Sequence, residues 1–236
     1  MAEKTEAPPE IEELPAAYAR WRDSRLGRIT DSLEHDLILD RVGAAPGLRI
    51  LDVGCGDGLL AMALAGQGAH VTGLDASPRM IAAARKRPAP QRGGVSFDIG
   101  QADALPFEAD TFDGVVSITA LCFVADPGGA VREMVRVLKP GGRLIIGTLG
   151  RHSAWAAIRR VRGWLGHPIW SRARFATPQG LKRLAEEAGL EEARVTGSIY
   201  YPPVGPAARA LGPIDRAIGT YTTFGAAFLV LAARKP

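Results

Sequence analysis

Two apolar rhythms divide the chain. Between Pro15 and Gly43 the apolar residues Ile29, Leu33, Leu37, Ile38 and Val42 recur at helical spacing, which predicts two helices, with Thr30 or Asp31 available to cap the second. From Leu48 onward the rhythm changes to short apolar runs at 48–53, 70–75, 94–99, 112–117 and 143–149, and these read as strands. Helical stretches over 59–67, 77–87 and 127–138 separate them, and Pro78 directly after Ser77 suits the first position of a helix. Strands that are apolar throughout and alternate with helices predict a mostly parallel α/β sheet covered on both faces. Lys139-Pro140-Gly141-Gly142 punctuates the step into the fifth strand. After Gly150 the pattern breaks: an Arg- and Trp-containing segment over 151–174 precedes a helix at 177–189 and strands at 191–199 and 223–233.

Composition narrows the setting. A chain of 236 residues suits one large α/β domain, taken here as 15–236, behind a disordered acidic tail over 1–14. That tail sets Glu3, Glu6, Glu10, Glu12 and Glu13 against Lys4 alone, the opposite of a secretory start. No apolar run is long enough to span a bilayer. Cys55 and Cys122 lie far apart and read as reduced thiols, so a cytoplasmic protein is expected. His35, His70, His152 and His167 have no ligand spacing, so no bound metal is expected. The net charge of +4 hides an asymmetry, because no acid lies between Glu133 and Glu186 while Arg151, Arg159, Arg160, Arg162, Arg172 and Arg174 all do. A one-signed block favours anionic partners, such as an anionic membrane surface.

The chemistry concentrates at strand ends. Ile50-Leu51-Asp52-Val53-Gly54-Cys55-Gly56-Asp57-Gly58 ends one strand and opens a helix. Its glycines allow a sharp turn and close approach to a ligand at the carboxyl edge of the sheet, and Asp57 is placed to meet amides at the helix start. The dinucleotide spacing fails, since Leu59 stands where the third glycine is required. Asp75, at the end of the second strand, can accept both hydroxyls of a ribose or cap the following helix. Asp103, after the third strand, can accept an exocyclic amine. Three such features on successive strand ends converge on one crevice.

The stretches LDVGCGDG (51–58), VTGLDASPRMI (71–81), QADALPFEADTFDGVVS (101–117) and EMVRVLKPGGRLII (133–146) together resemble the class I S-adenosylmethionine-dependent methyltransferases. The resemblance is to the type 11 group that includes ubiquinone and menaquinone biosynthesis enzymes. It implies a Rossmann-like seven-stranded sheet whose last strand is antiparallel, with S-adenosylmethionine across the strand ends. It places Gly54, Cys55 and Gly56 under the methionine part, Asp75 on the ribose, Ala76 and Met80 beside the adenine, and Asp103 with Ala104 at its edge. Thr119 falls near the methyl group. Tyr18-Ala19-Arg20-Trp21, then Leu26-Gly27-Arg28 and Glu34, is similar to the lead-in of some members. It implies an N-terminal lid within helices over 15–46, in which Tyr18 meets the cofactor and Trp21 the acceptor.

Methyl transfer from a sulfonium needs alignment and exclusion of water more than a nucleophile. A weakly acidic acceptor also needs a base. The segment 118–124 holds Phe123, a candidate for acceptor contact, but neither His nor carboxylate, although many relatives carry a histidine near Cys122. His152 and Tyr200 are the remaining candidates. No Asn/Asp-Pro-Pro-aromatic motif follows the fourth strand, which argues against nucleic acid. Substrate identity is expected in a cap over 151–190 that includes Trp155. On a helix, Ala154, Ile158, Val161, Trp164 and Leu165 share one face and Arg159, Arg160 and Arg162 the other. The leading reading is that this face packs over the acceptor pocket, and a membrane-facing helix is the alternative. The expected activity is methylation of a small-molecule acceptor of quinone, phenolic or lipid-like character. Phospholipid N-methylation and non-catalytic cofactor binding are the competing readings.

Overall fold

The computed structural model describes residues 20–43 and 45–236. The acidic tail, the helix expected before it reaches Arg20, and Tyr18 lie outside the described residues. Seven strands form one sheet in the order β3-β2-β1-β4-β5-β7-β6. They are β1 (Arg49–Val53), β2 (His70–Asp75), β3 (Gly94–Ile99), β4 (Phe112–Ile118), β5 (Leu138–Leu149), β6 (Glu191–Ser198) and β7 (Phe228–Arg234). β1 to β5 pair in parallel, while β7 runs antiparallel to both β5 and β6. The mostly parallel sheet with one reversed strand is therefore present.

The helices are α1 (Arg25–Val42), α2 (Leu59–Gly66), α3 (Pro78–Arg85), α4 (Pro127–Val137), α5 (Ala154–Trp164), α6 (Pro178–Glu187) and α7 (Gly205–Tyr221). Three of them open alike: Ser77, Asp126 and Thr177 each accept a hydrogen bond from an amide of the first turn, and proline follows each at once. The cap satisfies a donor the helix cannot, and proline lacks the amide that would otherwise go unpaired. One apolar layer joins α1, α2, α3, α5 and α7 to the sheet, through residues such as Ile38, Leu64, Ile81, Trp155 and Ala208. The opposite layer joins α4 and α6 through Met134, Val131, Leu181 and Ala185. This two-sided covering is why the strands read as unbroken apolar runs.

Two details depart from the sequence reading. α1 starts at Ser24, whose hydroxyl accepts from the Gly27 amide, so neither Thr30 nor Asp31 is a cap. Thr30 is buried mid-helix, where its hydroxyl donates to the Leu26 carbonyl and lies 3.0 Å from the Tyr201 hydroxyl. α7 was not anticipated, because its Gly205-Pro206 and Gly212-Pro213 pairs resemble loop punctuation.

α7 carries a buried anchor. Asp215 is fully enclosed and accepts from Ser198 Oγ (2.7 Å), the Ile199 amide (2.9 Å) and the Tyr200 amide (2.8 Å). Between them sits Ile199, a β-branched residue held at φ 65, a conformation that costs energy and persists only when its surroundings impose it. Asp215 imposes it. Asp215→Ala would strand three donors, two of them buried, so denaturant unfolding should show a loss of about 3 kcal/mol or more. A loss below about 1 kcal/mol would contradict this role.

Candidate active site

The carboxyl ends of β1 to β5 lie along one edge of the sheet. After β1 the chain turns through Gly54, Gly56 and Gly58, each with positive φ (76, 55 and 78). Space beside Gly56 is open, since a methyl group added there would meet no atom within 4 Å. The turn is held from the neighbouring strand: one oxygen of Asp75 accepts from the Gly56 amide (2.9 Å) and the other from the Ser77 amide (2.8 Å). Asp75 thus reaches the glycine turn and the start of α3 together. Burial raises its carboxyl pKa, and those two amides pull it back.

Asp52 lies beneath the turn, almost fully buried, and its Oδ2 has no hydrogen-bond partner among the described residues. Burial, with Asp75 adding repulsion, pushes its carboxyl up to about 7. An enclosed, unpaired carboxylate beside an open glycine turn is a site in want of a cation or donor. These two features fit the amino-acid end of S-adenosylmethionine, which combines an ammonium group with a backbone-sized stem.

Asp57 does not meet amides at the start of α2, whose cap residue Gly58 has no side-chain bond. Its carboxylate instead takes Arg22 (2.5 Å) and Arg87 (2.6 Å). Burial alone would raise its pKa, but the two guanidiniums outweigh it and hold it low. Arg22 stands in the helical stretch 20–23 before α1, so this pair ties the N-terminal segment to the glycine turn.

The other expected residues are distributed along the same edge. Met80 is half-buried on the first turn of α3, whereas Ala76, Asp103 and Ala104 are exposed at the ends of β2 and β3. Thr119 follows β4 at φ 52, its amide bonded to the Gly147 carbonyl (2.7 Å). A threonine in the left-handed region is an outlier of the kind that clusters at working sites. Cys55 and Cys122 are both buried, and burial raises both thiols, that of Cys122 to about 12. Trp21 packs against the core, and Phe123 is about half exposed.

An open cavity of about 720 Å³ lies beyond β4, at the ends of β5 and β6 and the start of β7. His152, Ala154, Ala157, Tyr200, Tyr201 and Phe224 border it. Trp155 does not. It is buried behind the cavity, with its indole donating to the Tyr201 carbonyl (2.8 Å), because α5 turns that side of the helix to the core. Tyr200 is excluded as a base: its hydroxyl donates to the Thr222 carbonyl, and burial with nearby Asp215 pushes its pKa up to about 12. His152 stays exposed at the rim, its ring 6.5 Å from that of Phe224.

Glu34 was legible only as part of the lead-in pattern. It lies one turn from Thr30 on the stripe of α1 that continues to Ile38, and burial pushes its carboxyl up to about 8, against Arg159 and with Asp31. The folded protein therefore keeps this proton where the unfolded chain, titrating near 4.5, has lost it. Folded protein binds more protons across that window, so stability falls as pH rises through it and is level above. Asp52 acts in the same direction between 3.8 and about 7. Melting temperatures of Glu34→Gln should decline less than those of the parent over this range. Parallel declines would contradict the assignment.

Known proteins are similar to this chain in sequence and fold. A family model described as a methyltransferase domain matches residues 51–146. A ubiquinone biosynthesis O-methyltransferase of Idiomarina loihiensis is 30% identical over 211 residues, spanning 85% of this chain and 86% of that protein. The protein of the same name from Methylocella silvestris is 37% identical over 195 residues, spanning 79% and 73%. The structure of an S-adenosylmethionine-dependent methyltransferase from Thermotoga maritima, described as a possible histamine N-methyltransferase, superposes with a TM-score of 0.71. It is 27% identical, and the match covers 96% of this chain and 98% of that one. A glycine turn pinned by Asp75, an orphan carboxylate beneath it and this agreement along the chain lead to one conclusion: the chain belongs to the class I S-adenosylmethionine-dependent methyltransferases, in the group that contains the ubiquinone biosynthesis O-methyltransferases.

Proposed function

We propose that this methyltransferase acts on a hydroxyl oxygen of a small phenolic, quinol-like or lipid-like acceptor, held in the cavity bordered by His152, Tyr200 and Phe224. The order of the strands carries the reading. The ends of β1, β2 and β3 carry the proposed cofactor residues, the ends of β5 and β6 with the start of β7 border the cavity, and β4 lies between them. Donor and acceptor then meet at Thr119, at the end of β4.

Bound at the glycine turn, S-adenosylmethionine supplies an activated methyl group on a cationic sulfur. Asp52 takes the ammonium end, and Gly54, Cys55 and Gly56 offer backbone to the stem. Asp75 faces the ribose while holding the turn, Met80 with Ala76 flanks the adenine, and Asp103 with Ala104 borders its edge. Tyr18 and Trp21 belong to the lid, and Arg22, next to Trp21, is tied to the glycine turn through Asp57. On the acceptor side, Phe123 and Phe224 supply apolar surface, and His152 accepts the hydroxyl proton. The segment 151–190 frames this cavity as the acceptor side of a single domain over 15–236.

The names of the curated relatives favour neither a non-catalytic binding module nor phospholipid N-methylation. Among the described residues no helix is long and apolar enough to cross a membrane. The two unpaired, buried cysteines suit a cytoplasmic setting. A lipid-like acceptor partitions into a bilayer, and the basic block over 136–183 suits contact with an anionic one.

With an isotopically labelled methyl donor and a panel of phenols, mass spectrometry should find the label on oxygen. Label on nitrogen or carbon alone would overturn the acceptor reading. His152→Gln should lower kcat by about 100-fold without changing cofactor affinity. Asp75→Ala should weaken cofactor binding by about 1–3 kcal/mol in calorimetry, and equal affinity in mutant and parent would refute its role.

A further inference from the structure

The starts of β1, β4 and β5 lie at the edge of the sheet opposite the glycine turn, and they border a second cavity of about 510 Å³. That volume falls within the range of about 300–1,000 Å³ usual for small-ligand sites. Its inner end is apolar, formed by Ile50, Val116 and Ile145. Its rim is basic: Lys139 and Arg143 of β5 and Arg234 of β7 stand against one acid, Asp113. Asp113 is engaged on both oxygens, by Lys139 Nζ (2.6 Å) and by the Arg49 amide (2.9 Å). Three cations against one carboxylate leave a surplus of two positive charges.

The strand register makes this surplus unfavourable. Arg143 and Arg234 stand directly opposite each other across β5 and β7, so both side chains leave the same face of the sheet. Like charges so placed repel. Both guanidiniums stay at the rim: a methyl group added to Gly43 would lie 3.7 Å from Arg143 Nη1, and one added to Gly141 would lie 3.5 Å from Arg234 Nη2. Arg234 Nε donates to the Gly141 carbonyl (3.2 Å). Among the described residues no carboxylate forms an ion pair with either arginine, although Glu191 stands across from Arg234 on β6. The carbonyl end of α1, at Gly43, offers Arg143 about half a negative charge, well short of neutrality. Two guanidinium forks and an ammonium around one opening suit a phosphoryl group, which brings three acceptor oxygens and about two negative charges near neutral pH. A carboxylate would neutralise only half of the surplus.

We propose that this cavity is a second ligand site, which takes a phosphoryl dianion between Arg143 and Arg234. It lies at the edge of the sheet away from the glycine turn, so it can be filled while donor and acceptor are bound. The site does not depend on the acceptor reading above, and it can be read without catalysis.

The test uses the full chain with inorganic phosphate and phenyl phosphate, against chloride at matched ionic strength. Both phosphates should raise the melting temperature where chloride does not. In nitrogen-15 spectra they should shift the amides of Gly43, Gly141 and Gly142 and leave those of Gly54 and Gly56 in place. Tighter binding of the ester would assign the site to an organic phosphate, and equal binding to the free ion. Arg143→Gln with Arg234→Gln should weaken phosphate binding at least about tenfold, while Arg160→Gln with Arg162→Gln on α5 should leave it unchanged. Both rim arginines are exposed and repel each other, so the ligand-free Arg143→Gln, Arg234→Gln variant should melt no lower than the parent and bind S-adenosylhomocysteine equally well. The proposal is overturned if phosphate and chloride act alike, if both pairs of changes weaken binding equally, or if the shifts centre on Gly54 and Gly56. A ligand-free rim variant that melts well below the parent would also overturn it, since the two arginines would then serve the fold.

Discussion

One carboxylate holds the site in register. Asp75 ends β2, yet its two oxygens are bonded to the Gly56 amide of the turn after β1 and the Ser77 amide at the start of α3. The turn runs through three residues with positive φ; the Gly54 and Cys55 amides donate to the Leu74 carbonyl and the Gly58 amide to the Cys55 carbonyl, and Asp75 takes the Gly56 amide between them. Tying it to the adjacent strand leaves an ordered concavity with backbone open beside Gly56 and Asp52 buried below. Asp57, clasped by Arg22 and Arg87, extends the same network to the N-terminal segment. The fold's contribution to catalysis is this pre-organisation, since an activated donor chiefly needs a fixed place and a dry one.

The proposed acceptor side is built on a different principle. Its residues come from the far half of the sheet, where β7 is inserted antiparallel between β5 and β6. Asp215 pins the corner after β6 through three hydrogen bonds, which sets Tyr200 and Tyr201 at the cavity wall. Tyr201 in turn receives the Trp155 indole on its carbonyl and the Thr30 hydroxyl beside its own. A buried acid on α7 therefore organises aromatic residues contributed by two other parts of the chain.

The sheet was legible because parallel strands covered on both faces leave unbroken apolar runs, and because Ser77-Pro78 announces a helix start. Asp75 and the glycine turn were legible as a spacing. α7 was hidden by prolines that a helix tolerates only where its own amides are free or packing compensates. Trp155 is buried behind the cavity and the face of α5 with Ile158, Val161, Trp164 and Leu165 is exposed, which the sequence does not decide, because an amphipathic pattern gives the angle between two faces and not which one meets the core. The partners of Asp57 and Asp215 lie far off in sequence or within an unforeseen helix, so no local pattern could name them. The strained φ of Thr119 leaves no trace in composition at all.

The central claim is spatial: the transferable methyl group lies at the end of β4, between the glycine turn and the cavity. Nuclear Overhauser spectroscopy on the protein bound to S-adenosylmethionine carrying a carbon-13 methyl group tests this directly. The account predicts a cross-peak from that methyl to the side chain of Thr119 and none to Met80. Contact with Met80 and silence at Thr119 would reverse the donor's orientation and contradict the account.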